Sequence, residues 1–186
     1  MAAPVPLDLI EDACRGDAER TEELIKLMWP DAVRLARAIL GEDQPAQDAA
    51  QESCIILYQR IASLRSPASF RTWFYRIVVR EASNLKRRRL KAEDVAPPAA
   101  FEVDHSASID VWRALATLPR HLREVVVLRY FEDLSSHEIA AVVRIPAGSV
   151  RFRLMIARQR LRPLLVIEGE TLTHAAKEKQ IHVNSF

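Results

Sequence analysis

Residues 118–165, LPRHLREVVVLRYFEDLSSHEIAAVVRIPAGSVRFRLMIARQRLRPLL, constrain the fold more than any other part of the chain. Three helical patterns follow one another there. Val125, Val126, Val127 and Leu128 form an apolar group after Pro119, whose missing N–H suits the first turn of a helix. Ser135 is placed to cap a second helix, with Glu138 three residues on as a capping box requires, and with Ile139, Ala140 and Val143 as its buried face. Ile145-Pro146-Ala147-Gly148 interrupts the periodicity. Ser149 restarts it, with Val150, Leu154, Ala157 and Leu161 on one face and Arg151, Arg153, Arg158, Arg160 and Arg162 elsewhere around the helix. No acid occurs from 149 to 166. Two helices joined by a tight turn, the second rich in arginine, describe a helix-turn-helix whose last member enters a major groove. An ordinary helical hairpin with a solvated basic face accounts for the same pattern; the agreement of cap, turn and one-sided charge favours DNA.

Upstream, the pattern is helical as well. Leu7 to Cys14 reads as a short helix, and Asp17 is placed to cap the next, whose apolar positions run from Leu24 to Leu40 and stop at Gly41. Pro30 lies inside that helix and predicts a kink or a split. A third helix begins at Asp43 or Gln44, with Ala49, Ile55, Ile56 and Leu57 as its apolar side. It displays Asp48, Gln51 and Glu52, and two like charges four residues apart gain nothing for an isolated helix. A basic partner explains the pair; so does plain solvent exposure. The stretch 62–69, ASLRSPAS, reads as a loop. A fourth helix runs to about Leu90, with Phe70, Phe74, Ile77, Val78, Ala82 and Leu85 as its core side. Arg76, Arg80, Asn84 and Arg87 recur along another side, beside Trp73 and Tyr75. Cations for phosphate and aromatic faces for unpaired bases are what single-strand capture needs, although aromatics at such spacing are as often core.

With four glycines and no strand-like alternation, the chain is expected to be all-α. Net charge is only +2, so any nucleic-acid signal lies in its distribution. The region 8–23 holds seven acids against two arginines, whereas 80–91 holds six bases and one acid. Such segregation suggests an acidic surface for a protein partner and basic surfaces for phosphate. Cys14 and Cys54 form no ligand set and fit a reducing cytosol. No leader-like or membrane-spanning run is apparent, so a cytoplasmic location without membrane insertion is expected. Residues 91–108, with Pro97-Pro98 and the acids Glu93, Asp94, Glu102 and Asp104, read as a flexible linker between two small helical domains, 1–90 and 109–166. The tail 167–186 is weakly patterned.

Three segments carry a resemblance to bacterial sigma factors of the extracytoplasmic-function (ECF) group of the sigma-70 family, over most of the chain. The pair WPDAVRLARAILG and DAAQES resembles the helices that hold the clamp of RNA polymerase. SFRTWFYRIVVREASNLKRR is similar to the reader of the promoter −10 element, and residues 118–165 to the reader of the −35 element. The resemblance implies sigma region 2 in 1–90 and region 4 in 109–166. It places Asp48, Gln51 and Glu52 on core polymerase. Leu64, Arg65, Ser66 and Ser69 fall on the loop that encloses a flipped base, with Arg71, Trp73, Arg76, Arg80, Asn84 and Arg87 on the −10 strand. Ser149, Arg151, Phe152, Arg153, Met155 and Arg158 fall at the −35 duplex, Arg151 and Phe152 at base-reading positions and Arg153 and Arg158 nearer phosphate. The acidic linker resembles the segment threaded through the polymerase cleft.

Three positions depart from the family pattern. Arg144 stands where the turn usually has glycine, which asks a long side chain for a positive φ; Phe152 and Ile156 replace a small polar residue and an arginine. The resemblance also implies an anti-sigma protein as inhibitor. The sequence holds no nucleophile–base pair, metal-ligand set or phosphate-binding glycine loop, so neither catalysis nor a cofactor is expected. Two other classes stay open from the residues alone. One is a stand-alone helix-turn-helix regulator, which would not need the basic-aromatic helix. The other is an enzyme with an appended DNA-binding domain, which the scattered histidines do not favour.

Overall fold

The structure is a computed structural model that describes residues 5–92 and 109–165; the linker acids and the tail discussed above lie outside the described residues. Eight helices make up these two segments, with no strand among the described residues: α1 (Leu7–Cys14), α2 (Ala18–Leu40), α3 (Asp43–Arg60), α4 (Phe70–Ala92), α5 (Ile109–Ala116), α6 (Arg120–Tyr130), α7 (Ser136–Val143) and α8 (Ala147–Leu165). The expected all-α class therefore holds, and the stretch 62–69 forms two short 3-10 turns, Ile61–Ser63 and Pro67–Ser69, around an extended corner.

Helix ends follow the local chemistry. The Asp17 carboxylate accepts from the Arg20 backbone N–H at 3.1 Å and opens α2. Gly41 closes that helix with φ 87°, a left-handed conformation that costs glycine nothing. Pro30 does not split α2, which is continuous. The carbonyl that Pro30 deprives of its donor belongs to Lys26; both residues are exposed, so water satisfies it.

The first core forms where α2 lays Leu24, Met28, Leu35 and Ile39 against α3 and α4, whose Leu57, Phe70, Phe74 and Val78 are fully enclosed. On α3 the buried side is Ala46, Ala49, Ala50, Ser53, Cys54 and Leu57. Ile55, expected inside, is 43% exposed, and Ile56 is half-buried. Small residues explain the difference: Ala46, Ala49 and Ala50 let α3 approach α2 closely and rotate its bulkier side outward. Of the two thiols, Cys54 is buried and pushed up to about 11 by burial, while Cys14 is half-buried.

In the second segment Trp112, Leu115, Leu118, Leu122, Val125, Leu128, Ile139, Val150, Leu154, Ala157 and Leu161 form the core. Pro119 is the residue before α6 rather than its first turn, with extended backbone at ψ 143°. Ser135 and Glu138 form the full capping box: the Ser135 hydroxyl accepts from the Glu138 N–H at 3.2 Å, and the Glu138 carboxylate accepts from the Ser135 N–H at 2.8 Å. Val142, not Val143, is the buried partner of Ile139. The interruption is shorter than the sequence suggests, because α8 starts at Ala147, its Val150 N–H donating to the Pro146 carbonyl.

The hydrogen bond to the Ser135 hydroxyl and N–H holds the Glu138 carboxyl below its ordinary pKa. A depressed folded value means that Glu138 stabilises above its unfolded pKa, about 4.3, and that this contribution fades as pH falls through the folded value. Ser135→Ala is expected to cost about 1 kcal/mol in urea unfolding at pH 7. Glu138→Ala is expected to lower the urea midpoint at pH 7, with the gap to wild type closing below about pH 4; a gap that persists there would exclude the charge as its source.

Candidate nucleic-acid interface

Three surfaces gather the residues singled out in the sequence. On α3, Asp48, Gln51 and Glu52 are all exposed, and Asp48 accepts from the Gln44 amide at 3.2 Å. The stripe continues through Ile55 and Tyr58, 43% and 52% exposed, at the i+3 and i+4 spacing that keeps one helix face. Sequence reasoning missed both as surface residues; the distance of four from Gln51 to Ile55 and of three from Ile55 to Tyr58 was the available signal.

The second surface is the corner 64–69 with α4. Arg65, Ser66 and Ser69 are exposed, Leu64 is half-buried, and the Ser69 hydroxyl and N–H both donate to the Ser66 carbonyl, at 2.8 and 3.0 Å, which sets the corner. Trp73 is half-buried, tilted against Phe70 with ring centroids 6.2 Å apart. Tyr75, read as part of the basic-aromatic side, is fully buried and turned toward α2, so it presents no face to a base. Arg80 is exposed beside Glu81 (2.7 Å), and Asn84 accepts from Arg87 at 2.9 Å. Arg76, Arg80 and Trp73 line a groove of about 330 Å³ together with Arg60, Ile56, Ile77, Val79 and Ser83 on one side and Val142, Val143 and Arg144 on the other. Arg60 is a cation that the sequence reading did not single out.

The third surface is the outer side of α8. Arg151, Phe152 and Met155 are exposed, the latter two by 59% and 52%, and Ser149 is half-buried. Arg153 turns inward and pairs with the buried Glu124 of α6 at 3.7 Å. Burial lifts the Glu124 carboxyl, and Arg120 and Arg153 oppose that rise. Arg153 thus braces α8 on α6. Arg158 is exposed and donates to the Leu154 carbonyl of its own helix at 3.3 Å.

Arg144 closes α7 at φ 56°, ψ 49°, the left-handed conformation expected for it. Its N–H donates to the Ala140 carbonyl. A Cβ in that conformation costs roughly 1–2 kcal/mol. Arg144→Gly is expected to raise the thermal midpoint of the chain, through a gain of about 1 kcal/mol offset in part by the greater freedom of glycine when unfolded. An unchanged or lower midpoint in calorimetry would show that the Arg144 side chain contributes more than its backbone costs.

A charged cluster that the sequence did not reveal joins the two helical sets. Glu132, in the turn after α6, is 0% exposed. Its carboxylate accepts from Arg34 Nε of α2 at 2.8 Å and from the Tyr75 hydroxyl of α4 at 2.6 Å, and its carbonyl accepts from Arg71 at 2.5 Å. Asp31 completes the cluster through Arg34 and lies 3.2 Å from the Tyr75 hydroxyl. Burial, then the two carboxylates, push the Tyr75 phenol above its ordinary value; burial lifts Glu132, opposed by its bonds to Arg34 and Tyr75.

Residues 24–92 match the Sigma-70 region 2 family and residues 108–161 the Sigma-70, region 4 family. The chain is 33% identical to the RNA polymerase sigma-H factor of Pseudomonas aeruginosa, over 84% of this chain and 94% of that one. It is 30% identical to the ECF RNA polymerase sigma-E factor of Escherichia coli K12, over 81% and 89%. Its fold is similar to that of RpoE from Bartonella quintana, solved with the anti-sigma factor NepR, at TM-score 0.70 and 22% identity over 80% of this chain and 98% of that one. It is also similar to CnrH, solved with the cytosolic domain of CnrY, at TM-score 0.64 and 23% identity over 86% and 96%. With both sigma regions present in this order, and with relatives matched over nearly their whole length, the chain belongs to the sigma-70 family as an ECF sigma factor.

Proposed function

We propose that the two sets of helices are two arms of one promoter reader. Residues 1–90 form the arm that binds core RNA polymerase and takes the −10 element, 91–108 the connector, 109–166 the arm that takes the −35 element, and 167–186 a tail. The observation that carries this reading is the different chemistry of the outward faces. The α3 face is acidic with apolar ends at Ile55 and Tyr58, which suits a basic protein surface; α8 presents Arg151, Phe152 and Met155, which suit a base-pair edge.

Arg151 has the fork geometry to read guanine O6 and N7, while Phe152 and Met155 offer only apolar contact, such as to a thymine methyl. Arg158 lies where it meets phosphate, and Arg153 acts through Glu124, holding the helix at its angle. On the −10 side the corner 64–69 encloses an unpaired base, with Trp73 as a stacking face and Arg71, Arg76, Arg80, Asn84 and Arg87 along the strand. Unpairing costs a few kcal/mol per captured base, offset by stacking worth about 1–3 kcal/mol per base and by backbone contacts. Melting in this reading is driven by binding; the bond-forming chemistry belongs to the polymerase. No described helix is long and apolar enough to cross a membrane, which fits work alongside the polymerase in the cytoplasm. The likeness to chains solved with anti-sigma partners supports control by such a protein.

Purified-component transcription tests the whole reading: with core polymerase the chain is expected to start RNA at specific promoters, and tight duplex binding alone without initiation would favour a stand-alone regulator. Asp48→Arg with Glu52→Arg is expected to weaken holoenzyme formation in a pull-down with core polymerase, while α5–α8 stay folded; undiminished binding would remove the α3 face from the interface. Arg151→Ala is expected to cost about 1–3 kcal/mol at a single −35 position in a binding series over promoter variants. A uniform loss across the series would make Arg151 a phosphate contact.

A further inference from the structure

We propose that the groove beside α4 and the end of α7 is a binding site for a small aromatic anion of the nucleoside monophosphate class, with Arg144 as one of the residues that hold it. The backbone of Arg144 is the first indication. Among the described residues two non-glycine positions have positive φ, Asp133 and Arg144. Aspartate enters the left-handed region comparatively readily, whereas a long side chain does so at a cost. Glycine would close α7 through the same hydrogen bond to the Ala140 carbonyl without that strain. Strained conformations of this kind cluster at ligand-holding positions, and Arg144 lines the groove.

The groove encloses about 330 Å³, at the lower end of the roughly 300–1,000 Å³ of small-molecule pockets. Arg60, Arg76, Arg80 and Arg144 all line it, and no carboxylate does among the described residues. Like charges gathered around one cavity repel, and an anion between them turns that repulsion into attraction. Arg60 and Arg144 are exposed, and neither pairs with a carboxylate among the described residues. Arg80 pairs with Glu81, its neighbour on the same helix, at 2.7 Å. Arg76 gives the N–H of Nε to the Ala141 carbonyl at 3.2 Å, which fixes its guanidinium at the α7 wall and keeps the donors of its two terminal nitrogens at the far end. Guanidinium forks of this kind match a phosphate bidentately. The rest of the lining suits a base. Trp73, half-buried and tilted against Phe70, brings an aromatic ring, and Val142 and Val143 bring an apolar wall. A nucleotide satisfies the arginines with its phosphate and the ring with its base. The volume takes one such unit rather than a stacked strand.

The site is defined by the groove and stands whether or not α4 takes the −10 strand, so the two are tested apart. Titration calorimetry on the full chain compares adenosine 5′-monophosphate with adenosine, inorganic phosphate and a short single-stranded oligodeoxyadenylate. The expected result is one nucleotide per chain, bound about tenfold or more tighter than adenosine or phosphate alone, with a raised thermal midpoint when it is present. Quenching of tryptophan fluorescence by the nucleotide locates it. Trp73→Phe keeps an aromatic ring and is expected to bind the nucleotide with the quenching gone; quenching that persists puts the nucleotide elsewhere and overturns the proposal. Arg144→Gly is expected to weaken binding about tenfold, and wild-type affinity in that variant overturns the site. Should Arg144→Gly not fold, Arg60→Gln at the exposed end of α3 decides in its place, with the same loss expected and wild-type affinity again overturning it. Three further results sink the proposal: no binding of the nucleotide, phosphate bound as tightly as the nucleotide, which leaves a bare anion site, or the oligonucleotide bound more tightly than the nucleotide, which makes the groove part of a strand surface.

Discussion

The carboxylate of Glu132 is the point on which the arrangement of this molecule turns. It is completely withdrawn from water, and an unpaired charge so placed is lost from any stable fold. Its partners come from elements far apart in sequence, Arg34 at a separation of 98 residues and Tyr75 at 57. Removing one partner of such a buried pair typically costs about 3–5 kcal/mol, whereas the intact pair contributes little net stability over an apolar replacement. In the arrangement observed Glu132 satisfies Arg34, Tyr75 and Arg71 together, with Asp31 beside them. Apolar packing runs through both sets of helices, and this cluster adds directional contacts to the way they face one another.

That division explains what the sequence could tell. Features set by neighbours within one turn of chain were legible: the Asp17 and Ser135 caps, the stop at Gly41, and the four-residue core face of α8; the left-handed Arg144 was expected only through the likeness to the family pattern. Features that depend on which neighbour a helix meets were not. Periodicity places Tyr75 next to the basic side of α4, but only the approach of α2 and Glu132 tells that its ring is inside. Ile55 has the composition of a core residue and lies outside because alanines elsewhere on α3 make the tighter contact with α2. Pro30 has a strong local preference to break a helix, and an exposed position lets the surrounding packing override it. Glu132 itself gave no signal at all, since an acid in a turn is ordinarily at the surface.

The arginines show the same distinction in functional form. Composition and spacing do not tell which arginines of the α4 stripe and of α8 face outward. In the fold they separate by partner. Arg34, Arg71, Arg120 and Arg153 face carboxylates, carbonyls or hydroxyls of other helices, and their charge is spent on holding elements in place. Arg65, Arg80, Arg151 and Arg158 stay exposed, where contact with phosphate or a base remains open to them.

The outward face of α8 carries the consequence furthest. With Arg153 turned inward to Glu124, the outward face of α8 keeps Arg151 and Arg158 exposed beside two large apolar side chains, Phe152 and Met155. In the proposed reading such a face obtains less from the phosphate backbone, whose contacts are sequence-independent and strongly salt-dependent, than it would with Arg153 free. Its discrimination rests instead on one bidentate reading and on apolar contact with methyl-bearing bases. In the proposed reading this face brings a limited set of contacts to the duplex. It therefore gains most from being tethered to a second contact on the same DNA, because the tether turns the weaker event into an intramolecular one. In the proposed reading the two-armed construction complements the chemistry of α8, and the exposed α3 face is the surface through which polymerase would hold both arms.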